Sequence, residues 1–102
     1  MTRVKLTSVR TFPSVAPTKA QALKPLEEAA EVFGAWRHTP VGALDPTMCE
    51  GQRMEIYATP LIDEIADCIT ACCNLAASLG VTDLTPYLAR CEERNRKRGR
   101  YE

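Results

Sequence analysis

The most constraining feature of this chain is a helical pattern between Thr59 and Gly80. Thr59 is the predicted N-cap, Pro60 suits the first helical position, and glycine commonly follows the end of a helix. Apolar residues cover more than half of the circumference of this helix, so the pattern predicts a helix that is mostly buried inside a bundle. These apolar positions are Leu61, Ile62, Ile65, Ala66, Cys68, Ile69, Cys72, Cys73, Leu75, Ala76 and Leu79.

An earlier helix is predicted from about Thr18 or Lys24 to Arg37. Pro25 lies inside this pattern, so the helix either kinks there or has Pro25 in its first turn. Thr39-Pro40 ends it. Its apolar stripe at helical spacing consists of Ala22, Leu23, Leu26, Ala30 and Phe33.

A third helix is predicted with Thr82 or Thr85 as its cap, Pro86 in its first turn and an end near Gly99. Strand signals are nearly absent, so the predicted fold class is all-α. Residues 1–17 are predicted to form an extended N-terminal arm that packs on a neighbour. Residues 18–102 would form a single helical domain with a loop insertion at about 39–51, followed by a short helix or irregular segment at 52–58.

The charge of the chain is segregated along the sequence. The 102 residues carry 13 basic and 13 acidic side chains, but residues 90–100 alone carry a net charge of +4 and the remainder −4. The zero total therefore hides an acidic body and a basic C-terminal stretch. A domain of this length buries only about two thirds of its unfolded surface, so a second copy that completes the core is expected.

Neither a membrane span nor an export signal is evident in the sequence. No apolar run approaches the roughly 20 residues that cross a bilayer, and residues 1–10 have no apolar signal core. We therefore expect a cytoplasmic protein with no membrane partner.

Five cysteines, an odd number, predict reduced thiols rather than disulfides. Cys68 and Cys72 could share a helix face, but no paired zinc motif is present, so the thiols are interpreted as buried small apolar groups. The single histidine, His38, is interpreted as a helix-end residue rather than a metal ligand.

Two acidic pairs at helical spacing are the strongest chemical signal. Glu64 and Asp67 are three residues apart on the narrow polar arc of the second helix, and Glu28 and Glu31 repeat this spacing on the first. Mg²⁺ prefers such oxygen ligands. Because acidic residues on a solvated helix face are also common, spacing alone leaves a metal site and an ordinary charged surface equally open.

These motifs resemble the signatures of a known enzyme superfamily. Lys24-Pro-Leu-Glu27-Glu28-Ala-Ala-Glu31 resembles the KxxEExxE signature of the MazG-like all-α nucleoside triphosphate pyrophosphohydrolases. Residues 63–67 (DEIAD), with the later NLA and LG at 74–76 and 79–80, resemble the second signature of that family. The basic stretch at 94–101 resembles the family's C-terminal end. The resemblance covers about residues 24–101, and the insertion at 39–51 departs from it in a region that would shape substrate choice.

The resemblance implies Mg²⁺-dependent hydrolysis of nucleoside or deoxynucleoside triphosphates to the monophosphate and pyrophosphate, with Mn²⁺ as a substitute metal, in nucleotide-pool house-cleaning. It implies a helical bundle completed as a homodimer or homotetramer. Glu28, Glu31, Glu64 and Asp67 would carry the metal ions. Water would attack the α-phosphorus in line, with Glu28 or Glu31 as the base.

Several further residues are candidates for substrate binding. Lys24, Arg94, Arg98 and Arg100 would stabilise phosphate charge, and Asn74 and Asn95 would contact phosphate or sugar. Trp36, the only tryptophan, would either stack on the base or pack in the core or a dimer interface.

Two alternatives remain open at this stage. The first is a phosphoribosyl-ATP pyrophosphohydrolase of the same fold. The second is a non-enzymatic helical module for oligomerisation or nucleic-acid binding that uses the basic tail. We do not expect a nucleic acid as the principal partner.

Overall fold

A computed structural model describes residues 2–39 and 58–102, and its regular structure is helical. The three helices are α1 (Lys19–Arg37), α2 (Thr59–Ser78) and α3 (Thr85–Lys97), and no strand occurs in the described residues. This confirms the all-α class for these parts of the chain. Two predicted features lie outside the described residues, namely the insertion at 39–51 and the short element at 52–58. Only their outer residues, Thr39 and Ala58, are described.

α1 begins at the earlier of the two predicted starts. The Thr18 hydroxyl accepts a hydrogen bond from the Gln21 backbone N–H at 3.2 Å, as an N-cap does. Pro25 consequently lies inside the helix rather than in its first turn. The helix ends at His38, the C-cap, which confirms the helix-end interpretation of this histidine.

α2 has the predicted end but begins one residue earlier than expected. Ala58 already has helical dihedral angles and is the N-cap, so the prediction of Thr59 as N-cap is wrong. At the other end Gly80 has a φ of +81°, and Val81 donates its backbone N–H to the Ala76 carbonyl at 3.0 Å. This is the bonding of a Schellman motif, in which glycine satisfies the left-handed position.

The start of α3 is bound by a side chain other than the two predicted caps. The Asp83 carboxylate accepts a hydrogen bond from the Thr85 backbone N–H at 2.9 Å, which also lowers the pKa of Asp83. Neither Thr82 nor Thr85 is the cap, since Leu84 holds that position. The predicted end near Gly99 is confirmed, because Gly99 has a φ of +72° directly after the C-cap.

α1 and α2 form an antiparallel pair, whereas α3 packs against neither helix in the described part of the chain. The Cys68 thiol donates to the Pro25 carbonyl at 3.9 Å near the middle of this pair. The N-terminal arm reaches α3 through an ion pair of 2.8 Å between Arg3 and Glu92. Both side chains are exposed, so this ion pair contributes little stability.

The predicted apolar stripe of α1 is not buried against α2. The α1 stripe points outward, with Leu26 68% and Phe33 59% exposed. On α2 only Ala71 and Asn74 are buried, and Leu79 is 66% exposed. The prediction that α2 is mostly buried is therefore wrong for a single chain. The side of α2 next to α1 carries Glu64 and Asn74 of the polar arc together with Cys68 and Ala71.

The described cysteines are free thiols, as predicted. They are not buried, however: Cys72 and Cys91 are exposed, and Cys68 and Cys73 are half-buried. Cys49 lies outside the described residues. Among the helices that the structure describes, none combines the length and the apolar character that crossing a bilayer requires.

Candidate metal centre

Three of the four predicted metal ligands meet between α1 and α2. Glu28, Glu64 and Asp67 each offer one carboxylate oxygen, and these oxygens lie within 4.8 Å of one another. Glu28 and Glu64 are half-buried, and Asp67 is exposed. The three-residue spacing on α2 places Glu64 and Asp67 on the face that α1 covers, which brings them to Glu28.

Glu31, the fourth predicted ligand, lies beside the cluster rather than within it. Its carboxyl group interacts with those of both Glu28 and Glu64. It does not belong to the group of mutually close oxygens. The structure therefore separates the acidic residues into a compact group of three and one neighbour.

The cluster concentrates negative charge. The pKa of Glu28 is raised, first by a hydrogen bond with Glu31, then by desolvation and by the charges of Glu31 and Asp67. The pKa of Glu64 is raised mainly by desolvation, and the charges of Glu31 and Asp67 add to this effect. Either a shared proton or a bound cation would offset the repulsion.

Glu64 carries the most direct sign of a missing positive partner. Its Oε2 atom is buried, and none of the described residues donates a hydrogen bond to it. A buried polar atom without a donor is unfavourable, and neighbouring carboxyl groups can donate only when they are protonated. The donor set contains only carboxylate oxygens, which suits Mg²⁺, Mn²⁺ or Ca²⁺ rather than a thiolate-binding metal.

A cavity of about 330 Å³ extends from this cluster toward the N-terminus of α1. Glu28 and Asp67 form one end, and Lys24 lies on the wall one turn before Glu28. Lys24 pairs with Glu27 at 3.0 Å through side chains that are more than half exposed. Because exposed ion pairs are weak, this lysine can exchange Glu27 for another anion.

Asn74 lines the far end of the cavity and is held by the N-terminal arm. It is only 2% exposed, and its Oδ1 accepts a hydrogen bond from the Phe12 backbone N–H at 2.9 Å. The sequence reading proposed Asn74 as a substrate contact and missed Phe12 altogether. No local pattern could reveal Phe12, because its contact spans 62 positions of the chain.

The remaining candidates lie away from the cluster within one chain. Trp36 stacks on Phe33, with ring centroids 6.0 Å apart, and does not line the cavity. Arg94, Asn95 and Arg98 belong to α3 or its C-cap, which contacts neither α1 nor α2. Within the described residues, the helix that carries the basic stretch therefore packs against neither helix of the acidic cluster.

Comparison of the chain with protein-family models, curated proteins and solved structures finds no match.

Proposed function

We propose that this chain hydrolyses nucleoside or deoxynucleoside triphosphates to the monophosphate and pyrophosphate in a Mg²⁺-dependent reaction, as a MazG-like enzyme would. The observation that carries the proposal is the inverted orientation of α1. The helix turns Glu28 toward α2 and leaves its apolar stripe exposed.

This orientation is unfavourable for folding unless the carboxylates bind a cation. Burial of apolar surface is the main favourable contribution to folding, so the stripe would normally face the partner helix. Here Glu28 faces α2 while the stripe is exposed, and neighbouring carboxyl groups together with desolvation raise the pKa values of Glu28 and Glu64. A cation between the helices would offset that repulsion and supply the partner that Glu64 Oε2 lacks.

Glu28, Glu64 and Asp67 are the residues that would hold Mg²⁺. Mg²⁺ bound there would offset the repulsion between the triphosphate and the carboxylates. It would also polarise a phosphate oxygen. Glu31 stands beside the ligand group and is free to take the proton of the attacking water. Of the two candidate bases, we therefore favour Glu31 over Glu28.

In the proposed reaction, water attacks the α-phosphorus while the bond to the bridging oxygen of the β-phosphate breaks. Pyrophosphate leaves with the bonding electrons, and the water proton passes to Glu31. Lys24, on the cavity wall, contacts the phosphate oxygens and stabilises the developing charge.

A homodimer, or a pair of such dimers, is part of the proposal. A second copy would cover the exposed apolar stripe of α1, which one chain leaves in water. Since α3 does not pack on its own α1 and α2, we propose that its Arg94, Asn95 and Arg98 reach the phosphates in the partner's cavity.

A substrate panel tests the activity. The protein is incubated with Mg²⁺ and each of the eight common nucleoside and deoxynucleoside triphosphates, and pyrophosphate release is measured. We expect release from at least one of them, and its loss in EDTA. Phosphoribosyl-ATP is assayed in parallel, because its hydrolysis would indicate a phosphoribosyl-ATP pyrophosphohydrolase instead.

Glu64→Gln should abolish turnover while the protein stays folded. Asp63→Asn is the matched control, because it removes the same charge one position earlier on α2 outside the cluster. Wild-type activity in Glu64→Gln would refute the metal assignment. If no substrate releases pyrophosphate and the chain instead binds nucleic acid, the non-enzymatic module would be correct.

A further inference from the structure

The N-terminal arm lies along α2 and is fixed at one point next to the cavity. Residues 5–10 border an open groove with Ala66, Ile69 and Thr70 of α2. Two residues later the arm is anchored, because the Phe12 backbone N–H donates to the buried Asn74 side chain. The position of Phe12 is therefore determined by a hydrogen bond of its backbone and not by packing of its ring.

The cavity has two chemically different ends. Glu28 and Asp67 mark the acidic end, and Phe12 and Asn74 mark the other. Asp67 and Asn74 are seven residues apart on one helix, which places the ends about 10 Å apart along the helix axis. A ligand whose phosphates lie at the acidic end would extend its remaining part toward Phe12.

The phenyl ring of Phe12 is available to such a ligand. Phe12 as a residue is 63% exposed although its backbone N–H is bonded to Asn74, so part of a flat apolar side chain lies open at the cavity wall. Gln21 lines the same end, and its side-chain amide carries both a donor and an acceptor. An aromatic face beside a donor and acceptor is suited to a heterocyclic base.

We infer that Phe12, anchored by Asn74, is the residue that contacts the nucleobase of the substrate, with Gln21 facing the base edge. This inference rests on the proposed function and assigns its base-binding residue to the arm. It also excludes Trp36 as the residue that contacts the base. Trp36 lies eight residues beyond Glu28, which is about 12 Å along α1 in the direction away from Gln21.

Tryptophan fluorescence can distinguish the two aromatic positions without turnover. Wild-type protein reports on Trp36, its only tryptophan, and the double variant Phe12→Trp with Trp36→Phe reports on position 12. Both are titrated with nucleoside 5′-(α,β-imido)triphosphates in Mg²⁺, which resist cleavage at the scissile bridge. We expect quenching in the double variant and little change in wild type. Quenching at Trp36 alone would overturn the inference.

Calorimetric titration of the same analogues measures the contribution of the ring. Phe12→Ala should weaken binding by at least about fivefold, because base–aromatic stacking is lost. Phe12→Tyr should restore it, and Leu6→Ala, an exposed apolar position in the same arm, should bind as wild type does. The thermal shift produced by Mg²⁺ alone should be the same in all three variants, since the ring does not touch the carboxylates.

The outcomes separate this inference from the proposed function. Unchanged affinity in Phe12→Ala, together with pyrophosphate release by wild type, would refute only the role of Phe12. Absence of both nucleotide binding and pyrophosphate release in every version would refute both. Circular dichroism checks that Phe12→Ala is folded, and we expect it to be, because the backbone bond to Asn74 does not need the ring.

Discussion

At the scale of single residues, Glu64 shows the conflict between stability and function most clearly. Its buried Oε2 has no donor among the described residues, and its neighbours Glu31 and Asp67 carry the same charge. Without a cation the folded chain must tolerate this arrangement. The side chain that the proposed reaction needs is therefore one that weakens the metal-free fold.

We predict that Glu64→Gln raises the thermal unfolding temperature of the protein in EDTA at pH 7. The amide removes one charge from the cluster and provides a donor for its carboxylate neighbours. Asp63→Asn should shift the unfolding temperature less, since it only weakly affects Glu64. Mg²⁺ should stabilise wild type and Asp63→Asn but not Glu64→Gln. Lower stability of Glu64→Gln in EDTA would contradict the prediction.

The pH dependence of this effect has a definite sign. The folded pKa values of Glu28 and Glu64 are raised, so the folded state holds more protons than the unfolded state above the unfolded pKa of about 4.3. Stability contributed by these two groups is present at low pH and is lost as pH rises toward and through the raised values.

Asp83 and Glu93 have lowered pKa values, and their contributions are lost as pH falls, so only a difference between variants isolates the cluster. The advantage of Glu64→Gln over wild type should grow as pH rises from about 4 and level off once pH exceeds the raised pKa of Glu64. Urea unfolding in EDTA at several pH values measures it. A constant difference across this range would show that the pKa of Glu64 is not raised.

At the scale of the elements, two glycines have opposite roles. Gly80 ends α2 with a φ of +81°, a conformation in which a side chain is strained. Gly34 lies inside α1, where an added Cβ meets no described heavy atom within 4 Å. The first glycine is needed for the backbone conformation, and the second only reduces helix propensity.

Gly80→Ala should therefore destabilise the protein by about 1 kcal/mol, and Gly34→Ala should stabilise it by about 0.5–1 kcal/mol. For a domain of about 100 residues, a change of 1 kcal/mol corresponds to roughly 4–8 °C in the unfolding temperature. Thermal unfolding of the two variants measures both shifts. Equal shifts of the same sign in the unfolding temperatures of the two variants would refute this account of the two glycines.

At the scale of the whole molecule, the exposed stripe of α1 is the feature that a single chain does not explain. Among the described residues, the two paired helices bury only Ala71 and Asn74 of α2. Association would supply the missing apolar burial. Stability would then depend on protein concentration.

Leu26→Glu should convert the proposed dimer to a monomer, because it places a charge at the middle of the stripe. Val4→Glu is the matched control, an apolar-to-acidic change at an exposed arm position outside the stripe. Light scattering gives the mass, and the unfolding temperature of wild type should rise with protein concentration. A wild-type protein that is an active monomer would refute the shared bundle.

The sequence by itself determined the local structure. Apolar periodicity predicted three helices, and Gly80 and Gly99 marked two of their ends. The spacing of Glu64 and Asp67 placed both on one face of α2. These features depend on residues within a few positions of one another, which a linear pattern contains. The start of α3 was less predictable, because the side chain that binds its first backbone N–H is Asp83 and not either predicted threonine.

Only the tertiary structure decided which faces meet. Periodicity defines an apolar and an acidic face on α1 but cannot say that Glu28 turns toward α2, since that depends on what covers the other side. The bond from Phe12 to Asn74 likewise joins distant segments and leaves no local signal. The sequence therefore determined the positions and spacing of the carboxylates, whereas long-range packing determined that Glu28 meets Glu64 and Asp67 beside the arm.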